Sequence, residues 1–126
     1  MDLKLKIKRI YIPAEEDDGY RILIDRLWPR GVSKTNAGID EWAKEVTPST
    51  ELRKWFGHKD ENFEEFRRLY IAELESNPDA ARFAKHCKEL LSDGNVTLLY
   101  GARSATCNHA VILRDWIISK NKQITK

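Results

Sequence analysis

Apolar and charged side chains alternate from the start of the chain. Leu3, Leu5 and Ile7 fall on one face and Lys4, Lys6 and Lys8 on the other, the period-two pattern of a half-exposed strand at a sheet edge. A polar run, Pro13 to Gly19, then separates it from Tyr20-Arg21-Ile22-Leu23-Ile24-Asp25-Arg26-Leu27, a more apolar second strand stopped by Pro29 and Gly31. From Gly38 to Asp93 the strong signals are helical. A short segment around Ile39-Asp40-Glu41-Trp42 comes first, and Pro48 opens the next helix, with Thr47 as its cap and Gly57 past its end. A third helix from about Asp60 aligns Phe63, Phe66, Tyr70 and Leu74, and a fourth from Asn77-Pro78 turns Phe83, Cys87, Leu90 and Leu91 inward before Gly94. Val96 to Tyr100 is the unbroken apolar run of a central strand. A last helix, capped by Asn108, buries Ile112, Leu113, Trp116 and Ile117 ahead of a basic tail, Lys120 to Lys126.

This order predicts an α/β fold, a small two-layer or three-layer sandwich. Its short sheet is mostly parallel, with a long helical insert between the second and last strands and a C-terminal helix. The insert exceeds the dozen residues that a parallel crossover requires, so the second and last strands can run parallel. The link between the first two strands is short enough for a hairpin, which leaves the first strand's direction open.

Size and charge narrow the picture. The 126 residues suit one domain spanning 1–126 with one core. A hydrophobic share of 41% and a charged share of 33% fit a folded, soluble protein. The 22 basic and 20 acidic side chains leave a net charge of +2, too small to imply a nucleic-acid or membrane partner. No secretory leader or bilayer-spanning stretch is apparent, so a cytoplasmic location is expected. Cys87 and Cys107 form no Cys-x-x-Cys pair, and Cys87 falls on the inward face of its helix.

Parallel strands deliver their C-terminal ends to one sheet edge, where loops diverge and ligands usually bind. The second strand brings Asp25-Arg26-Leu27-Trp28-Pro29-Arg30-Gly31 there, and the last brings Tyr100 to His109. Arg26 and Arg30 can grip a phosphate or carboxylate, and Trp28 can stack on a planar ring. Taken in isolation, the motif is better explained by an ion pair of Asp25 with one arginine and a core position for Trp28, because ion-pair networks are common where nothing is catalysed. Arg103 and the free N–H groups before the last helix can receive an anion, and His109 in its first turn can act as a general acid or base or simply bond the sheet end. Cys107 has no arginine six positions later, so the cysteine-phosphatase loop does not fit. In the insert, Leu52, Trp55 and Phe56 suit the core while Arg53 and His58 can close over the site. His58, His86 and His109 lack metal-ligand spacing, so neither a metal nor another cofactor is expected.

Asp25 to Gly31, Pro48 to His58, Leu98-Leu99-Tyr100 and Asn108-His109-Ala110 together resemble the YeaO-like proteins of the domain of unknown function 488 family. The resemblance covers nearly the whole chain. It implies an α/β fold and a shared site at Asp25, Arg26, Trp28, Arg30, Trp55, His58, Asn108 and His109, but no settled activity. Longer members carry Cys-His-Arg where this chain has Asn108-His109-Ala110, so no thiol mechanism carries over.

Three functions follow as expectations. The first is binding of a small phosphate- or carboxylate-bearing ligand at the strand edge. Arg26, Trp28, Arg30, Arg53, Trp55, His58, Tyr100, Arg103 and Asn108 would hold it, and Asp25 and His109 would be the acid–base pair if a reaction occurs. The second is a nucleic-acid-associated module using Lys4, Lys6, Lys8, Arg9, Arg67 and Arg68. The third is a non-catalytic interaction domain. The residues do not decide whether the protein is an enzyme, and they set no oligomeric state.

Overall fold

The computed structural model describes residues 4–121. The alternating first segment and the two apolar runs become β1 (Leu5–Arg9), β2 (Tyr20–Leu23) and β4 (Val96–Tyr100), with a two-residue β3 (Glu41–Trp42) added. Their spatial order is β1-β4-β2-β3, and every pairing is parallel. β4 is buried along its length in mid-sheet, and β1 takes an edge. Leu3, which belongs to the alternating pattern, and the tail beyond Asn121 lie outside the described residues.

The helical expectation for Ile39 to Trp42 is corrected. Glu41–Trp42 extends the sheet beside β2, and the Ala43 N–H donates to the Leu23 carbonyl at 2.9 Å. Two residues are too few to display alternation, and the free edge of β2 decides their conformation. The cap of the following helix also shifts by two positions. Ser49, not Thr47, accepts from the Leu52 N–H at the start of α2 (Thr50–Phe56), which ends at left-handed Gly57. A short helix, α1 (Lys34–Ala37), precedes β3.

The remaining helices follow their sequence signals: α3 (Phe63–Glu75), α4 (Pro78–Leu91) capped by Asn77, and α5 (His109–Lys120) capped by Asn108. Phe63, Phe66, Tyr70 and Leu74 of α3 pack with Phe83, Cys87 and Leu91 of α4 and Ile112, Leu113, Trp116 and Ile117 of α5. Together they cover one sheet face, presented by Leu5, Ile22, Ile24, Val96 and Leu98. Burial raises the Cys87 thiol to about 12, which suits an inert core position. The buried Tyr70 hydroxyl donates to the Val46 carbonyl at 2.5 Å and ties α3 to the chain ahead of α2. Among the described residues, no helix is long and apolar enough to cross a membrane.

The opposite face has a thinner cover. Leu23 and Leu99 meet Ile10, Trp28, Val32, Ile39 and Trp42 in a satellite core. Because β1 and β2 both run parallel to β4, residues 10–19 must cross over β4 to start β2, and they do so on this face. The Thr97 hydroxyl donates to the Asp18 carbonyl at 2.7 Å and pins the crossing chain to β4. Gly19 closes the crossing at φ 66°, where a Cβ would stand 2.0 Å from the Asn95 carbonyl oxygen, so only glycine fits. Beneath the crossing, Asp18 pairs with Arg21 at 2.5 Å and Lys8 at 3.1 Å, and Arg21 also donates to the carbonyls of Ala37 and Gly38.

Candidate cationic cleft at the strand edge

Four parallel strands carry four connecting segments to one edge. Tyr11 follows β1, Asp25 to Arg30 follow β2, Thr47 and Pro48 follow β3, and Gly101 and Ala102 follow β4. With α2 and the start of α5 they line a cleft of about 570 Å³. Of the expected site residues, Asp25, Arg26, Trp28, Arg30, Arg53, His58, Asn108 and His109 all face it.

Asp25 and His109 are held together at the floor. The Asp25 carboxylate accepts from the Gly101 N–H at 2.8 Å and lies 3.4 Å from His109 Nε2. Gly101 permits this, because a Cβ there would stand 2.8 Å from the same carboxylate oxygen. His109 Nε2 is also 2.7 Å from the Ile24 carbonyl. A carbonyl can only accept, so Nε2 carries a proton, and the imidazole clamps α5 to the end of β2. Burial lifts the Asp25 carboxyl above its ordinary range, opposed by His109, the Gly101 N–H, Arg53 and His58. Burial likewise lowers His109 below the ordinary 6.5, against the pull of Asp25 and the Ile24 carbonyl. The dominant influence on each group therefore favours its neutral form.

The wall is cationic. Arg26, Arg30, Arg53 and Lys54 line the cleft, and Asp25 is the only carboxylate there among the described residues. Arg26, Arg30 and Lys54 make no side-chain ion pair among the described residues. Arg53 donates weakly to the Thr50 hydroxyl at 3.4 Å, while its Nε is buried with no hydrogen-bond partner. A buried unpaired donor is costly unless something outside the protein satisfies it. His58, directly after left-handed Gly57, is itself at φ 57°, a strained backbone for a residue with a Cβ.

Both ends of the Asn108 amide are used. Its oxygen accepts from the Val111 N–H at 3.1 Å, and its nitrogen donates to the Ser104 carbonyl at 2.7 Å. The side chain is a helix cap and a loop clasp.

Three expected site residues are placed elsewhere. Tyr100 is buried in the main core, and Arg103 is exposed outside the cleft lining. Trp55 joins neither cleft nor core. It is 47% exposed along a separate groove with Leu52, Leu69 and Glu73, because the inward stripe of the short α2 is only wide enough for Leu52 and Phe56. Trp28 reaches the cleft, but much of its ring is committed to the satellite core. It meets Trp42 edge-on at 5.3 Å, and its Nε1 donates to the Val32 carbonyl at 2.6 Å. Tyr11 and Lys54 line the cleft without having been singled out in the sequence. Tyr11 reaches this edge only because β1 runs parallel, the one direction the sequence left open.

Fold and cleft together define a parallel α/β domain with a cation-lined pocket at the carboxyl ends of its strands. The profile of the family described as "Inactive DUF488-N3 subclade" matches residues 4–125, and the chain belongs to that family. An Escherichia coli (strain K12) protein described as "Uncharacterized protein YeaO" is 47% identical over 117 residues, 93% of this chain and 99% of the relative. "Uncharacterized protein Mb3100c" of Mycobacterium bovis and "Uncharacterized protein Rv3073c" of Mycobacterium tuberculosis (strain H37Rv) are each 36% identical over 112 residues, 89% of this chain and 92% of the relative. No solved structure matches the chain.

Proposed function

We propose that the protein binds a small phosphate- or carboxylate-bearing ligand in the cationic cleft and performs no thiol chemistry on it. The observation that carries this reading is the buried, unpartnered Nε of Arg53, in a cleft where Arg26, Arg30 and Lys54 also line the wall and one carboxylate opposes them. An anion there offsets the cations, and the Arg53 side chain, which lines the cleft, is one of those that can meet it. Asn108 supports the non-thiol part, since its amide is spent on capping and clasping. The description of the matched subclade as inactive agrees with it. Asp25 and His109 then organise the floor of the pocket. In this reading the protein works in the cytoplasm on a soluble small anion.

A nucleic-acid role has less support. Lys6 pairs with Asp17, Lys8 with Glu15 and Asp18, Arg67 with Glu64 and Arg68 with Glu65, while Arg9 bonds the Ala102 carbonyl. Cations already paired on a charged surface add little phosphate affinity.

The test is the melting temperature at low ionic strength with inorganic phosphate, pyrophosphate, phosphorylated sugars, nucleotides and small dicarboxylates. At least one class is expected to raise it in a dose-dependent manner, and Arg30→Gln should diminish the rise. No shift with any anion at millimolar concentration would remove the ligand-binding reading.

A further inference from the structure

Among the described residues, four large apolar side chains are exposed: Tyr11, Ile12, Leu27 and Trp55. Two of them, Tyr11 at 43% and Leu27 at 72%, line the cleft. Leu27 sits in the segment that also carries Arg26 and Arg30, so apolar and cationic groups share one wall. Exposed apolar groups beside unpartnered cations match a ligand with both a flat apolar part and an anionic part.

Tyr11 is the better prepared of the two. Its hydroxyl donates to the Arg30 carbonyl at 2.8 Å, which fixes the ring against the segment bearing the cleft cations. The Arg9 guanidinium covers the ring 4.6 Å from its centroid, and Arg9 is in turn anchored by Nε donation to the Ala102 carbonyl at 3.0 Å. Arg9 does not line the cleft, whereas Tyr11 does. One ring face is thus taken by a guanidinium outside the cleft lining, while the ring stays 43% exposed along the cleft. A ring immobilised in this way loses little freedom when another ring stacks on it. The cleft volume of about 570 Å³ suits a small molecule with both parts.

Resting on the anion-binding reading above, we propose that the ligand is a free nucleotide, whose base stacks on the exposed Tyr11 ring while its phosphate meets Arg30 and Arg53. Tyr11 is the residue that selects the ring. Trp28 does not take this role, since Trp42 and the Val32 carbonyl hold it in the satellite core.

The experiment is calorimetric titration of the full chain with adenosine 5′-monophosphate, ribose 5-phosphate and a single-stranded decanucleotide, repeated with Tyr11→Ala and Tyr11→Phe. Adenosine 5′-monophosphate is expected to bind about tenfold or more tighter than ribose 5-phosphate, the size of one stacked base. Tyr11→Ala should erase that preference and Tyr11→Phe should retain it. Equal affinity for the two phosphates, or an unchanged preference in Tyr11→Ala, overturns the stacking proposal while leaving anion binding in place. Tighter binding of the decanucleotide than of the mononucleotide overturns the assignment to a free nucleotide. If neither phosphate binds, the nucleotide proposal is overturned, while the anion-binding reading falls only if the carboxylates fail as well.

Discussion

Replacing Asp18 with alanine is expected to destabilise the protein by about 3–5 kcal/mol, the size of breaking a buried ion pair from one side. Asp18 is buried between Lys8 and Arg21, and Arg21 is buried too. Removing the carboxylate leaves buried Arg21 with no counter-charge and Lys8 with Glu15 alone, in a region closed by the crossing segment. Burial works against ionisation of Asp18, but the Glu15 N–H, Lys8 and Arg21 outweigh it and hold the carboxyl below the ordinary 3.8. A depressed carboxyl contributes stability that is complete above its unfolded value and is lost as pH falls through its folded value. Urea unfolding between pH 7 and pH 2 measures both effects. The wild type should lose stability below about pH 4, and Asp18→Ala should start lower and lack Asp18's share of that acid slope. A loss below about 1 kcal/mol at neutral pH would show that the cluster does not hold the crossing in place.

Arg53→Met is expected to separate binding from stability. Binding of the anionic ligand should weaken by roughly 10- to 100-fold, the size of a charge-assisted hydrogen bond. Stability should stay the same or rise by up to about 1 kcal/mol, because the substitution removes a buried donor that lacks a partner. Methionine keeps much of the side chain's apolar bulk beside Phe56. Parallel ligand titration and urea unfolding measure the two quantities. Wild-type affinity in Arg53→Met would show that the orphaned donor faces no ligand, and a marked loss of stability would show that Arg53 is structural.

Much of the fold is legible in the chain because its helices announce themselves locally. Asn77-Pro78 and Asn108 supply caps, Phe63 to Leu74 supply a stripe, and the apolar run at Val96 to Tyr100 places the central strand. The misses arise where neighbours decide. Glu41–Trp42 becomes a strand because β2 has a free edge, a relation between residues that local propensity does not contain. The direction of β1 depends on residues 10–19 crossing over β4, which the buried cluster of Lys8, Asp18 and Arg21 makes possible. That partnership is spread over three separate positions and leaves no periodic mark in the sequence.

The site was legible to the extent that its residues lie at strand ends or helix starts. Asp25, Arg26, Arg30, Asn108 and His109 converge because both of their strands run parallel into the same edge. Arg53 and His58 come from the insert, where the family resemblance marked His58 and the side-chain chemistry marked Arg53. Trp55 and Arg103 looked equally suitable by residue type. Residue type carries no information on the rotation of a two-turn helix or on which loop residue turns outward, and these decide who reaches the cleft. Asn108 was legible as a cap because it stands just before the stripe of α5, and its amide also clasps the preceding loop.

The measurement that bears most directly on the central claim is an amide NMR titration with inorganic phosphate at low salt. Saturable shifts should concentrate in residues 25–31, 53–58 and 101–109, with Lys4 to Lys8 and Arg67 to Arg68 unmoved. Shifts confined to those basic surface residues, or none that saturate in the three cleft segments, would contradict an anion site at the strand edge.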